Sequence, residues 1–329
     1  MKKLSLLFLF VITNLTAFNQ IIKGTILEKE TNNTICFATI YFNGTFGGTS
    51  SDQNGNFELD ISKYRSMPLT ISAIGYYSVT ITEFSRTKSL TVYLQPKIYE
   101  LNEAIISAKS LEKKRRKNLL LFKEEFIGTT ANAQECVIMN EKDITFNYYS
   151  DDDTIKAYAF NPIVIENKSL GYRITYYLDK FEYYKEKEAT FFCGNIIFNE
   201  DLIVNDTPKQ FYEKRRESVY FGSRMHFFRV LWSGNLKSSG FIIKNPELKV
   251  LKLKDIVFED DKSNKFLKYP SNLFIEYNHR KSIIEFLKED VYFDETGFFN
   301  PGIIWKGEMS KQRIADWLPY EYLLNNNNL

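Results

Sequence analysis

Two histidines, three cysteines and a run of arginines are where chemistry would have to start in this chain. A zinc hydrolase needs His and carboxylate ligands around an open coordination position. His226 is followed at the third position by Arg229 and His279 by Ser282, so neither opens an HxxE pair, and no HExxH occurs. Ser223 and His226 lie three apart, close enough to share a helix face, but no GxSxG elbow surrounds the serine and the pair reads as packing or surface. Cys36, Cys136 and Cys193 are odd in number and far apart, which excludes a CxxC metal site or a disulfide framework. Cys36 is expected as a small buried hydrophobe on a strand face with Ala38, Ile40 and Phe42, and Cys136 and Cys193 as two buried, inert thiols, with a bond between them as the alternative. No catalytic residue, metal ligand or cofactor site is assigned.

What is left is recognition. Arg215, Arg216, Tyr220, Arg224, His226 and Arg229 crowd one stretch, and planar guanidinium groups beside aromatics suit an anionic or glycan partner. The competing reading pairs these arginines with Glu213, Glu217 or strand carboxylates. Tyr176-Tyr177 and Tyr183-Tyr184 could stack sugars, or they fill a core. Asp52, Asn54 and the Gly55 carbonyl carry too few acidic ligands for a calcium loop and read as turn formers.

The elements that position these groups follow from composition and periodicity. The chain has 329 residues, 44% hydrophobic and 16% aromatic, enough for about two cores built largely of sheet. Lys and Arg number 43 against 41 Asp and Glu, so no global field favours nucleic acid. Met1-Lys2-Lys3, the apolar run Leu4 to Val11 and Ala17 form an export-signal pattern, and the apolar run is too short to span a membrane. None of the three cysteines follows that run, so no lipoprotein signal is present. Removal of Lys2 and Lys3 with the signal takes the formal charge from +2 to 0.

From residue 18 to 108 short strand patterns alternate with turn residues, and seven strands are expected, the last over Ala104 to Ala108. Asn54-Gly55 is a hairpin signal, and Gly75 before Tyr76-Tyr77 lets the backbone turn. The segments Lys23-Gly24-Thr25-Ile26, Phe37-Ala38-Thr39-Ile40, Gly48-Thr49-Ser50-Ser51-Asp52-Gln53-Asn54-Gly55-Asn56-Phe57 and Ile71-Ser72-Ala73-Ile74-Gly75-Tyr76 occur in order, followed by Val92-Tyr93-Leu94 and Leu101-Asn102-Glu103-Ala104. Together they resemble the carboxypeptidase regulatory-like domain, a transthyretin-like module that in envelope proteins of Bacteroidota often precedes a TonB-dependent transporter. The resemblance implies a seven-stranded sandwich without catalytic residues of its own. About 220 residues follow Ala108, too few for a barrel of about 22 strands, and the expectation here is no transporter.

Residues 109–125, with Lys113-Lys114-Arg115-Arg116-Lys117, read as a basic linker or helix. Residues 126–324 read as a β-rich α+β domain and 325–329 as a polar tail. In that domain Tyr172, Ile174, Tyr176 and Leu178 share one strand face. The period changes to helical between Pro208 and Gly234, with Gly222 as a weak point. Strands are expected over Leu248 to Phe258, and a short helix or turn over Lys311 to Leu318. Phe126-Ile127-Gly128-Thr129, Asn132-Ala133, Ile165-Glu166-Asn167, Leu170-Gly171-Tyr172 and Tyr220-Phe221-Gly222-Ser223 resemble an uncharacterised region that accompanies the module in other exported proteins. The chain as a whole is expected to be mainly β: a seven-stranded transthyretin-like β-sandwich followed by a β-rich α+β domain. Its expected function is that of a non-catalytic exported envelope protein, periplasmic or associated with the outer membrane, binding a protein partner or glycan. The alternatives are a hydrolase with an unlocated carboxylate site and an eight-stranded outer-membrane barrel; the Asn-rich end, which lacks a closing aromatic, speaks against the barrel.

Overall fold

The computed structural model describes residues 20–64, 67–84, 89–97, 108–202 and 209–324; the signal, strand residues 104–107 and the tail lie outside them. The first body is a sandwich of two sheets. One has the order β4-β1-β7, from β1 (Ile21–Glu28), β4 (Asn56–Asp60) and β7 (Ser89–Leu94), with β1 and β7 parallel. The other has the order β3-β2-β5-β6, from β2 (Thr39–Phe42), β3 (Gly48–Ser50), β5 (Leu69–Ser72) and β6 (Val79–Ile81). Strict alternation on β1 sends Ile22 and Ile26 inward to meet Ile40, Phe42, Leu69, Ile71, Val92 and Leu94, all buried. The sandwich has seven strands, as expected, but one of them is β3, in a stretch expected to be a connection, whereas the strand expected over Ala104 to Ala108 falls on residues outside the described ones and on Ala108, which belongs to a helix.

Cys36 is the clearest correction in this body. Phe37 adopts φ +54°, which breaks the strand before Thr39 and turns both Cys36 and Phe37 to solvent. Asp52 is a turn former: its Oδ1 accepts the amides of Asn54 and Asn56, each at 2.8 Å, and the Gly55 carbonyl takes the amide of Ile26 at 2.9 Å.

Helix α1 (Ala108–Phe126) leads into the second region, a mixed α/β assembly. Lys113, Lys114, Arg116 and Lys117 of its basic run face solvent and half-buried Arg115 donates to the Ile144 and Glu141 carbonyls, while Phe122 and Phe126, one turn apart, pack into the sheet beneath. That six-stranded sheet centres on β12 (Tyr172–Tyr184). The strand pairs with β13 (Ala189–Asn199) on one edge and with β10 (Thr154–Ala159) and β11 (Ile163–Asn167) on the other. β9 (Ile144–Tyr149) and β8 (Cys136–Ile138) complete it, and the one-turn helix α2 (Ala131–Gln134) precedes β8. Tyr172, Ile174, Tyr176 and Leu178 are all buried on one face, as alternation predicts, until a bulge after Leu178 shifts the register.

Helices α3 (Lys209–Tyr220) and α4 (Arg224–Ser233) meet at Gly222, and α4 stops at Gly234 in the left-handed conformation. A second core forms where Phe227, Phe228 and Leu231 of α4 pack on a four-stranded sheet of β14 (Phe241–Lys244), β17 (Leu273–Tyr277), β18 (Arg280–Phe286) and β20 (Ile303–Gly307). A small sheet of β15 (Val257–Glu259), β16 (Lys265–Leu267) and β19 (Val291–Phe293) flanks it. Of the stretch Leu248 to Phe258 only Val257 and Phe258 are strand, after a 3₁₀ segment, and Lys311 to Leu318, expected as a short helix or turn, contributes 3₁₀ turns.

The sandwich docks on this region through the loop between β2 and β3. Gly44 N–H donates to the Ile196 carbonyl (2.8 Å) and Phe198 N–H to the Thr45 carbonyl (3.1 Å), so the loop continues the ladder along the free edge of β13. Tyr177 of β12 donates to Thr39 Oγ1 at 2.8 Å and stacks on Tyr41. No helix among the described residues is long and apolar enough to cross a membrane.

Candidate binding cleft

A cleft of 380 Å³ opens where the α3–α4 corner meets α2, the β17–β18 hairpin and the turns at 308–316. The corner depends on glycine: at φ +80°, Gly222 lies so close to Tyr277 that a Cβ there would stand 2.7 Å from the ring. Ser223 caps α4 by accepting the His226 amide at 3.0 Å. Gly222 N–H donates to His226 Nδ1 at 3.1 Å, which leaves the imidazole proton on Nε2. Burial, reinforced by the charge of Arg229, pushes this histidine down to about 4. Ser223 and His226 therefore act as a helix cap and a neutral packing ring.

The floor of the cleft is a chain of hydrogen bonds running from cation to carboxylate. Arg215 Nη1 donates to Ser169 Oγ at 3.0 Å, Ser169 donates to Asn132 Oδ1, and Asn132 Nδ2 donates to Asp316 Oδ1 at 2.8 Å. Thr130 adds a bond to the same carboxylate oxygen at 3.1 Å. Burial raises the Asp316 carboxyl, and these two bonds pull it back in part. On the rim, Lys311 pairs with Glu308 at 2.6 Å, whereas Arg215 and Arg280 have no carboxylate partner among the described residues. Exposed Phe221 and half-buried Tyr277 stand beside them. This arrangement can hold an anion and a flat polar surface; its hydroxyl–carboxylate contact, Thr130 on Asp316, belongs to the hydrogen-bond chain that fixes Asn132.

The six residues singled out in the sequence part company. Arg215 lies on the rim, over the Phe211 ring at 4.0 Å. Arg216 is interior, 3% exposed, with Nε on the Leu170 carbonyl and Nη1 on Glu200 (2.7 Å) and Glu213 (3.3 Å). Tyr220 is buried against His226 and Tyr322. Arg229 clamps the carboxy-terminal segment through the carbonyls of Thr296, Tyr320 and Tyr322. Arg224 donates through Nε to the Met309 carbonyl and lines a different cavity. The pairing reading holds for Arg216 and Glu213, while Arg224 and Arg229 take main-chain carbonyls in place of side chains.

Asp316, Arg280 and Gln312 at the cleft carry no sequence motif. Asn132, Phe221 and Gly222, which belong to segments singled out in the sequence, do line it. The paired tyrosines have structural places: Tyr176 in the core of the six-stranded sheet, Tyr177 on Tyr41, Tyr183 against that same core and Tyr184 on Glu182. The cysteines stand free. Cys193 is exposed because it falls on the outer face of β13, and half-buried Cys136 donates to the Asn132 carbonyl, with burial pushing its thiol up to about 12. Among the described residues no group of three or more His, Cys, Asp or Glu side chains could hold a metal ion.

Comparison with known proteins bears mainly on the sandwich. No curated protein matches the chain significantly. Among solved structures, a protein of unknown function from Bacteroides fragilis NCTC 9343, described as membrane-associated, aligns over 88% of this chain and 94% of its own at 12% identity and a TM-score of 0.18. A 9R-lipoxygenase from Cyanothece PCC8801 aligns over 64% of this chain and 48% of its own at 10% identity and a TM-score of 0.19. TM-scores this low define no common fold. The sequence profile of one family matches residues 22–106, which contain the sandwich strands up to Leu94, so the amino-terminal part of the chain is a CarboxypepD_reg-like domain.

Proposed function

We propose that this chain is an exported protein of the bacterial envelope that works by binding, and that its cleft takes an acidic glycan. The observation that carries the reading is the pair of rim arginines, Arg215 and Arg280, which have no carboxylate partner among the described residues and line the cleft together with Phe221 and Tyr277. The export pattern at Met1 to Ala17 supports the compartment. The regulatory type of the sandwich supports a role without bond-making chemistry.

The test is titration of the purified protein with oligogalacturonate, with a neutral oligosaccharide of equal length as control. Saturable binding that weakens with salt is expected, together with a loss of at least tenfold in the Arg215→Glu, Arg280→Glu double variant at an unchanged melting temperature. Equal binding of the neutral control, or of the double variant, would remove the glycan reading. In that case photo-cross-linking from position 280 in intact cells shows whether a protein's acidic face takes the cleft. Turnover of any substrate by the pure protein would overturn the binding class.

A further inference from the structure

A second cavity, of 260 Å³, lies between the sandwich and the second region. Asn43 and Gly44 close it on one side, and Phe198, Phe298, Phe299 and Leu318 make it largely apolar. One wall is the first turn of α4, Ser223 to Met225, where the Ser223 and Arg224 amides are held by the Tyr220 carbonyl and Gln312 Oε1. Val219, Gln312 and Asp316 line both this cavity and the outer cleft, so the two adjoin. Asp316 directs Oδ1 to Asn132 and Thr130 on the cleft side.

Arg224 is the cation of this cavity, and among the described residues no carboxylate, Asp316 included, lies within ion-pair distance of it. Its Nε donates to the Met309 carbonyl and its plane lies 5.5 Å from the Trp305 ring, but neither terminal nitrogen has an acceptor among the described residues. The neighbouring charge is Arg313, a like one, and burial together with that charge pushes the guanidinium down to about 10. Arg216, on α3, differs: its buried guanidinium meets Glu200 and Glu213 through Nη1. A partly buried arginine beside an apolar void and left without a carboxylate is an unmatched charge.

We propose that this cavity binds a medium-chain fatty carboxylate, the head group on Arg224 at the start of α4 and the chain among Phe198, Phe298, Phe299 and Leu318. Size agrees: an apolar cavity of about 150 Å³ admits benzene, so 260 Å³ admits a flexible chain of roughly eight to ten carbons. The dimensions exclude a two-chain lipid, and the single charge selects a carboxylate over an alcohol of the same length. This site is separate from the glycan cleft, and its failure leaves that reading standing.

Calorimetric titration of the full mature chain with decanoate and with decanol decides the matter, at concentrations below micelle formation. Decanoate is expected to bind at least tenfold tighter than decanol, the effect of one charge-assisted contact. Arg224→Met should weaken decanoate by tenfold or more and leave decanol unchanged. Crystals soaked in 10-bromodecanoate should place the bromine between Phe198 and Phe298, a readout that needs no variant. Equal affinity for the two ligands, unchanged decanoate binding in Arg224→Met, or bromine found only in the outer cleft would each overturn the proposal.

Discussion

The carbonyl of Gly44 accepts the amide hydrogen of Tyr320 at 2.9 Å, and the Tyr320 ring covers the glycine so closely that a Cβ there would stand 2.6 Å from it. A loop of the sandwich is thereby pinned between the edge of β13 and the carboxy-terminal segment. Glu321, next in the chain, extends the clamp by accepting the Tyr64 hydroxyl at 2.6 Å and the Phe46 amide at 2.8 Å. The module is therefore part of the structure that encloses the second cavity, since Gly44 and Tyr320 both line it.

Gly44→Ala tests this clamp. The residue sits at φ +78°, where a side chain is strained, and its new methyl would strike a ring held by neighbours. The expected cost is about 2–3 kcal/mol, read as a lower midpoint in chemical denaturation. A midpoint identical to that of the natural chain would show that Tyr320 moves aside freely.

Arg215 and Arg216 are adjacent in sequence and opposite in role, which makes them a sensitive pair. Removing Arg216 strands the Leu170 carbonyl and leaves Glu213 without its partner, so Arg216→Met is expected to cost about 2–4 kcal/mol. Arg215→Met loses one bond to Ser169 at a solvated rim and should cost less than about 1 kcal/mol. Thermal melts of the two variants compare them directly; equal losses would place Arg215 in the interior scaffold as well.

That contrast marks the limit of what the sequence discloses. Period-two alternation places Tyr172 to Leu178 correctly because one face of β12 is buried and local pattern decides it. Gly222 and Gly234 are legible because backbone conformation at a helix end is a one-residue property. Phe37 at positive φ is not, since nothing in a bulky aromatic announces a left-handed turn, and Cys36 follows it out to solvent. Arg215, Arg216, Arg224 and Arg229 share one helical stretch. Their fates are set by carbonyls and carboxylates brought from residues 170, 200, 309 and 296–322, contacts that exist only after folding. Asp316 likewise meets Asn132 at a separation of 184 positions in the sequence.

His226 supplies the pH dependence. Its imidazole is neutral in the fold, with Nδ1 accepting from Gly222 and with burial and Arg229 opposing a proton, so its value falls from the ordinary 6.5 to about 4. A histidine depressed on folding binds its proton more readily when unfolded, so its contribution is fully present above about pH 6.5. That contribution is lost progressively as pH falls through 6.5 toward 4, by about 2–3 kcal/mol in all. Carboxylates lowered by hydrogen bonds, such as Asp143 and Asp153, lose theirs only below their ordinary value of 3.8. Asp316 acts in the opposite sense, because its raised carboxyl is relieved by protonation. Denaturation midpoints measured between pH 7 and pH 4.5 should therefore fall steadily in the natural chain. In His226→Asn, whose Oδ1 can still accept from Gly222 but does not titrate, the curve over that interval should be flatter, whatever its height. Parallel curves for the two proteins would show that protonation of His226 is matched in the unfolded chain, and the neutral ring at the α3–α4 corner would have to be abandoned.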